Sequence, residues 1–211
     1  MNNFNFIAPF YDLLKRAVYG DSLLKAELSH LTYIQPGSHV LVLGGGTGKL
    51  LEALPARCYI DYVERSSKMI RLAKKRKYAG NINFIHADYL EFQTKQQYDW
   101  IITSFFLDVF IEKNLRIVCS KLLSQLDAGG RLLATDFHPA EGHRGKVMLQ
   151  LMHIFFKLVS GLESNRLKNI QEFLREAGFR AEEERYFNNG NLFSTIFIPD
   201  GNPFEKVLSL D

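Results

Sequence analysis

Four glycines in five residues, Gly44-Gly45-Gly46-Thr47-Gly48, follow directly on the apolar run Val40-Leu41-Val42-Leu43 and lead into Lys49-Leu50-Leu51. This order reads as strand, tight turn, helix. Glycine has no Cβ and accepts positive φ, so such a turn can bend sharply and lay bare backbone against a ligand. A helix starting there would aim its free N–H groups at the same ligand. The apolar pattern predicts that helix over Leu50–Leu54, stopped by Pro55.

The turn excludes two common ligand loops. A phosphate loop needs G-x-x-x-x-G-K-[ST]. Gly48-Lys49 fits its middle, but Leu43 stands where the first glycine belongs and Leu50 where the hydroxyl belongs. The dinucleotide fingerprint G-x-G-x-x-G fits Gly44 and Gly46 but meets Lys49 at its third glycine. What remains is G-x-G-x-G at 44, 46 and 48.

Further strands are predicted at Cys58–Val63, at Ile82–Leu90 including its exit, and at Tyr98–Asp108, the last buried by its run of large apolar groups. An amphipathic helix is expected over Leu115–Leu126, a turn at Asp127–Gly130 and a fifth strand over Arg131–Thr135. A helix over Leu167–Ala177 ends at Gly178. Strands Arg180–Tyr186 and Leu192–Ile198 then flank the hairpin signal Asn188-Asn189-Gly190-Asn191. Ahead of all this, residues 4–33 read as two helices broken near Gly20-Asp21. Glu64 closes the second strand at the edge where open parallel sheets bind ligands. A carboxylate there can accept both hydroxyls of a ribose.

These stretches resemble, in order, the motifs of class I S-adenosylmethionine (SAM) methyltransferases. The first strand and G-x-G-x-G are similar to motif I. Glu64-Arg65-Ser66-Ser67-Lys68-Met69-Ile70 is similar to D-x-S-x-x-M-[IL], and Phe84–Tyr89 to F-x-x-x-D-x. Tyr98–Asp108 is similar to motif IV, and the 126–132 stretch to L-x-P-G-G-x-L with Ala128 in place of proline. Phe6-Ile7-Ala8-Pro9-Phe10-Tyr11-Asp12-Leu13-Leu14 resembles the "IAP-YD-LL" segment of the ubiquinone/menaquinone C-methyltransferases. The resemblance runs from Phe6 to Ile198.

It implies one Rossmann-like α/β domain over 1–211, with strand order 3-2-1-4-5-7-6, an antiparallel seventh strand and helices on both faces. Residues 1–35 would form an N-terminal helical cap and 139–165 a helical lid insertion. It implies SAM as cofactor, with S-adenosyl-L-homocysteine (SAH) as product, held by Gly44, Gly45, Gly46, Thr47, Gly48, Glu64, Arg65, Met69, Asp88, Tyr89 and Ser104. Glu64 would take the ribose, Asp88 the adenine amino group, and Tyr89 would flank the ring. One departure stands out: Val42 replaces the acidic residue usual two positions before the first glycine.

Tyr11, Phe105, Phe106, Phe137 and the apolar stretch 146–160 are expected along one sheet edge, which favours an apolar or aromatic small-molecule acceptor. The candidate substrate-binding residues are Tyr11, Phe105 and His138. Asp108 is the candidate for orienting the acceptor or accepting its proton, the alternative being that it caps the helix near Ile111. His86 and His153 read as structural. The stretch 146–160 suits a lid, a dimer interface or a helix lying on a membrane surface, so peripheral membrane contact stays open. The expected function is methyl transfer to a small acceptor; the alternatives are a non-catalytic SAM- or SAH-binding protein, or a methyltransferase acting on protein or RNA. No Asn/Asp-Pro-Pro-aromatic tetrad of the amino-group enzymes is present.

Composition limits the partners. A net charge of +3 over 211 residues gives no argument for nucleic acid, and Lys68–Lys77 lacks the aromatics that would interleave a nucleic-acid patch, so it reads as a solvated helix face. Cys58 and Cys119 have neither metal-ligand nor redox spacing, and no metal is expected. Met1–Asn5 shows no leader pattern, and no stretch reaches about 18 apolar residues, so a cytoplasmic protein is expected, as monomer or homodimer.

Overall fold

The apolar run before the glycines is buried at four of its five positions, as a central strand covered on both faces must be. This strand is β1 (His39–Leu43), and the computed structural model describes it within residues 21–139 and 168–201. Six more strands join it: β2 (Tyr59–Glu64), β3 (Asn81–His86), β4 (Tyr98–Ser104), β5 (Leu126–Phe137), β6 (Phe179–Phe187) and β7 (Leu192–Pro199). They form one sheet in the order β3-β2-β1-β4-β5-β7-β6. The pairs β1/β2, β1/β4, β2/β3 and β4/β5 are parallel, and β7 runs antiparallel to both neighbours. This is the order and the sense expected from the sequence. The order reverses between β1 and β4, so a crevice opens beyond the carboxyl ends of these strands.

Alternation along the strands divides the core. Leu41, Leu43, Ile101 and Leu132 face one way, against Leu115, Val118, Leu122 and Leu174. Val40, Val42, Ile60 and Ile102 face the other, against Leu31, Ile34, Leu50 and Leu51. The α-helices are α1 (Ser22–Leu28), α2 (Ser67–Ala73), α3 (Glu112–Gln125) and α4 (Ile170–Glu176). Helices α3 and α4 supply the first layer, while Leu31 and Ile34 come from the short 3-10 turn after α1, and Leu50 and Leu51 from the 3-10 helix Lys49–Ala53. The Ser66 hydroxyl accepts from the N–H of Met69 at 3.2 Å and caps α2, while Asn169 caps α4. Among the described residues no helix is long and apolar enough to cross a membrane.

The short helix expected ahead of Pro55 is present, as the 3-10 helix Lys49–Ala53, while two other local expectations are corrected. Pro55 pushes Leu54 into extended backbone (ψ 145), which leaves room for five residues and no N-terminal ligand site. Asp127–Gly130 is no separate turn: α3 passes straight into β5 at Leu126. The extra residues are taken up by a register shift opposite Tyr98 and Trp100, with Gly129 at φ +80. The third helix begins at Glu112, with Ile111 at its N-cap, so Asp108 is not the cap residue. Tyr11, His153, the first N-terminal helix and nearly all of the 139–165 insertion lie outside the described residues.

A buried polar chain ties α1 to the sheet. His30 Nδ1 lies 3.0 Å from the Ser194 hydroxyl, which is 2.9 Å from that of Thr135. Burial, helped by Arg185 and opposed by Glu183, lowers the His30 pKa to about 4, so the ring is neutral at ordinary pH.

Candidate functional site

Five segments meet at the crevice. The glycine turn brings Gly44 and Gly46. The end of β2 brings Val63, Glu64 and Arg65, and α2 brings Met69. The exit of β3 brings Ala87, Asp88 and Tyr89, and the exit of β4 brings Phe105, Phe106, Val109 and Phe110. Together they line an open cleft of about 850 Å³, its mouth included.

Glu64 sits at the centre of the polar side. Its Oε1 accepts from the N–H of Ser66 at 2.7 Å and its Oε2 from that of Gly46 at 3.2 Å. Burial raises its pKa, against the pull of those two backbone donors. Each oxygen keeps a further lone pair for a ligand hydroxyl. At the exit of β3, Asp88 Oδ1 accepts from Leu90 N–H at 3.0 Å, and its Oδ2 lies 3.5 Å from Arg65 Nη1. Tyr89 is buried and fixed from α3. Its hydroxyl donates to Gln125 at 2.6 Å, and Lys121 Nζ stands 4.5 Å from its ring centroid while donating to the Tyr89 carbonyl at 2.6 Å.

The glycines divide by task. A Cβ on Gly45 would meet the Tyr62 ring at 2.5 Å, and one on Gly48 would meet Ala73 at 2.7 Å, so these two allow close packing. Gly46 (φ +59) has open space where its Cβ would be. Gly44 lines the cleft too, but Phe106 Cδ2 lies 2.5 Å from its missing Cβ. The bare face expected to receive a ligand there carries an aromatic ring instead.

Of the residues singled out from sequence, the fold brings Gly44, Gly46, Glu64, Arg65, Met69, Asp88, Tyr89 and Phe105 into this cleft. Gly45, Thr47, Gly48 and Ser104 stand beside it without lining it. Thr47 is buried and its carbonyl accepts from Arg76 Nε at 3.1 Å; Ser104 is buried at the end of β4. His138 turns away: its ring packs 5.3 Å from Tyr186 and 6.5 Å from Phe193, on the β6–β7 side. The ring is thus not among the residues lining this cleft, because β7 pairs with β5 and brings Phe193 beside it. Asp108 lies between cleft-lining residues, but its side chain is not part of the lining. Val109, Phe110 and the buried Asp136 were not anticipated. The apolar loop after β4 was the one signal that pointed toward the first two.

A nucleoside fits the polar side, with Glu64 and Asp88 as acceptors and Gly46 as open backbone. At the amino-acid end the fit is poorer. Val42 is fully buried in the core, so β1 offers no carboxylate to an ammonium group.

Residues 40–130 match a protein-family model described as a methyltransferase domain. Over 101 residues the chain is 35% identical to a malonyl-[acyl-carrier protein] O-methyltransferase of Priestia megaterium (strain DSM 319 / IMG 1521), covering 46% of this chain and 36% of that protein's length. Among solved structures, a DhpI–SAH complex aligns with a TM-score of 0.69 at 18% identity, covering 94% of both chains. The N-methyltransferase NodS of Bradyrhizobium japonicum WM9 in complex with SAH aligns at 0.60 and 16% identity, covering 85% of this chain and 84% of that one. At these identities the two structures show the fold.

Proposed function

We propose that the chain, whose residues 40–130 match a methyltransferase-domain model, binds SAM in this cleft and transfers its methyl group to a small acceptor. The observation that carries the reading is the convergence of Gly46, Glu64, Asp88 and Tyr89, from three separate segments, on one cleft with an apolar opposite side. Glu64 would hold the ribose hydroxyls, Asp88 the adenine amino group, and Met69 and Tyr89 the ring. When bound, SAM supplies a methyl group already activated by its sulfonium. The chain's remaining task is to exclude water and to hold an acceptor in line, and holding it in line supplies much of the acceleration. Phe105, Phe106, Val109 and Phe110 provide the dry surface for this and favour an apolar or aromatic acceptor over a sugar. Asp108, on the same loop, is the candidate for orienting the acceptor or accepting its proton.

The likeness to an enzyme acting on malonyl-[acyl-carrier protein] adds carrier-bound acyl groups to the acceptors worth trying. Titration calorimetry tests the cofactor: micromolar affinity, about 8 kcal/mol, is expected for SAM and SAH. Heat with NAD and none with SAM or SAH would overturn the reading. SAH release across a panel of phenolic, lipid-like and carrier-bound acceptors then separates an enzyme from a protein that only binds the cofactor.

A further inference from the structure

Asp136, one residue before the end of β5, is a carboxylate only 1% exposed and outside the cleft lining. Its Oδ2 accepts from the N–H groups of Leu107 at 3.1 Å and Asp108 at 3.3 Å, and its Oδ1 from that of Phe137 at 2.9 Å. The carbonyl of Thr135, next to it, accepts from Phe105 N–H at 2.8 Å. The end of β5 therefore grips the β4-exit loop at three backbone positions. Phe105 is held at φ +51, a conformation that a bulky residue avoids unless its surroundings impose it. The gripped loop also carries Phe106, Val109 and Phe110, which line the cleft together with Gly44 and Glu64.

A charge buried so completely costs stability, so packing alone does not account for it. Among the described residues, charged neighbours come from three elements. The loop supplies Asp108. The segment ahead of α4 supplies Lys168, half-buried, whose Nζ donates to the Asp108 carbonyl at 3.1 Å. Glu112, on α3, lies near enough to Lys168 for its charge to favour the protonated amine. From β7, Phe193 stands opposite in the pairing and carries no charge.

We propose that Asp136 is a positioning residue, whose carboxylate sets the β4-exit loop in the shape that walls the cleft, and that a proton taken up by Asp136 releases the loop and weakens ligand binding. All three groups hydrogen-bonded to it are N–H donors, which a charged carboxylate accepts more strongly than a protonated carboxyl does, so protonation weakens the grip on the loop. Burial, then the neighbouring Asp108, raises the Asp136 pKa well above the usual carboxylate range, which brings this event closer to neutral pH. The choice of SAH as probe rests on the proposed function; the clamp itself does not.

Calorimetry of SAH binding from about pH 5 to about pH 8 tests it, alongside amide hydrogen exchange. In the wild type, affinity should fall on acidification. In Asp136→Asn it should be about tenfold weaker at neutral pH. It should also be nearly flat, keeping only the smaller dependence that Glu64 contributes. The Leu107 and Asp108 amides should exchange faster in the variant. Lys168→Met keeps the three bonds and removes the cation, so it should move the midpoint of the pH dependence upward; if Asp136→Asn does not fold, an unmoved midpoint here overturns the proposal. Wild-type affinity, pH dependence and amide protection in Asp136→Asn would also overturn it. If the wild type binds neither SAH nor SAM at any pH, the functional reading fails, and the exchange rates alone decide the clamp.

Discussion

Replacing Glu64 by glutamine keeps the shape of the side chain and removes its charge and half of its acceptor capacity. The two carboxylate oxygens serve Ser66 N–H at 2.7 Å and Gly46 N–H at 3.2 Å. The amide oxygen will keep the shorter bond to Ser66, which leaves the amide NH2 against the Gly46 N–H. One backbone bond to a charged acceptor is lost, and the oxygen meant for a ribose hydroxyl is lost with it. A hydrogen bond to a charged group is worth about 1.5–3 kcal/mol, so SAM and SAH should bind roughly 10- to 150-fold more weakly. Stability should behave differently. Burial raises the folded pKa of Glu64 above its ordinary value of 4.5, so the folded state holds its proton more tightly than the unfolded chain does. Wild-type stability therefore falls as pH rises from 4.5 toward the folded value and stays reduced above it. Glutamine removes that penalty as well as the lost bond, so the two changes oppose each other at neutral pH. Calorimetry and urea denaturation of the same preparations should show weaker binding with nearly unchanged stability. Unaltered SAH affinity, or a loss of affinity that only follows a loss of folding, would refute the role given to Glu64.

Gly45→Ala drives a methyl group into the Tyr62 ring and disturbs its 2.9 Å bond to the Gly46 carbonyl, at a cost of about 1–3 kcal/mol. Gly46→Ala meets open space and should cost only the left-handed backbone, about 1–2 kcal/mol, while weakening SAH binding; urea midpoints for the pair should separate the packing glycine from the cleft glycine. His30 has its pKa lowered from 6.5 to about 4, so the unfolded chain binds the extra proton first. Stability should drop between pH 6.5 and about 4, by on the order of 3 kcal/mol, and His30→Gln should flatten that part of the profile. Asp108→Asn should lower turnover by about a hundredfold with SAM affinity at neutral pH kept and no loss of melting temperature, since it removes a like charge beside Asp136; normal turnover would remove Asp108 from the chemistry.

Much of this molecule was legible without coordinates, because the signals were local. The run ahead of the glycines fixed β1, and the run ending at Glu64 fixed β2. Asn188 and Asn189 (φ 52 and 55) and Gly190 (φ 83) marked the hairpin that turns β6 into β7. Such patterns depend on residues a few positions apart, and the strand order follows from their sequence and from the motifs they resemble. The tertiary structure decided which group occupies each space. Nothing within the glycine turn shows that Phe106, sixty-two residues on, covers Gly44. The packing of Gly45 against Tyr62 is equally invisible there. His138 stands at the catalytic edge by sequence, yet the antiparallel pairing of β7 with β5 places Tyr186 and Phe193 beside its ring. Asp136 reads as an unremarkable polar residue at a strand end. It becomes a clamp only because the parallel pairing of β4 and β5 brings two backbone amides of the β4-exit loop within reach of its carboxylate. A hydrogen bond forms between whatever the fold places within about 3 Å, and sequence periodicity carries no information about partners so distant along the chain.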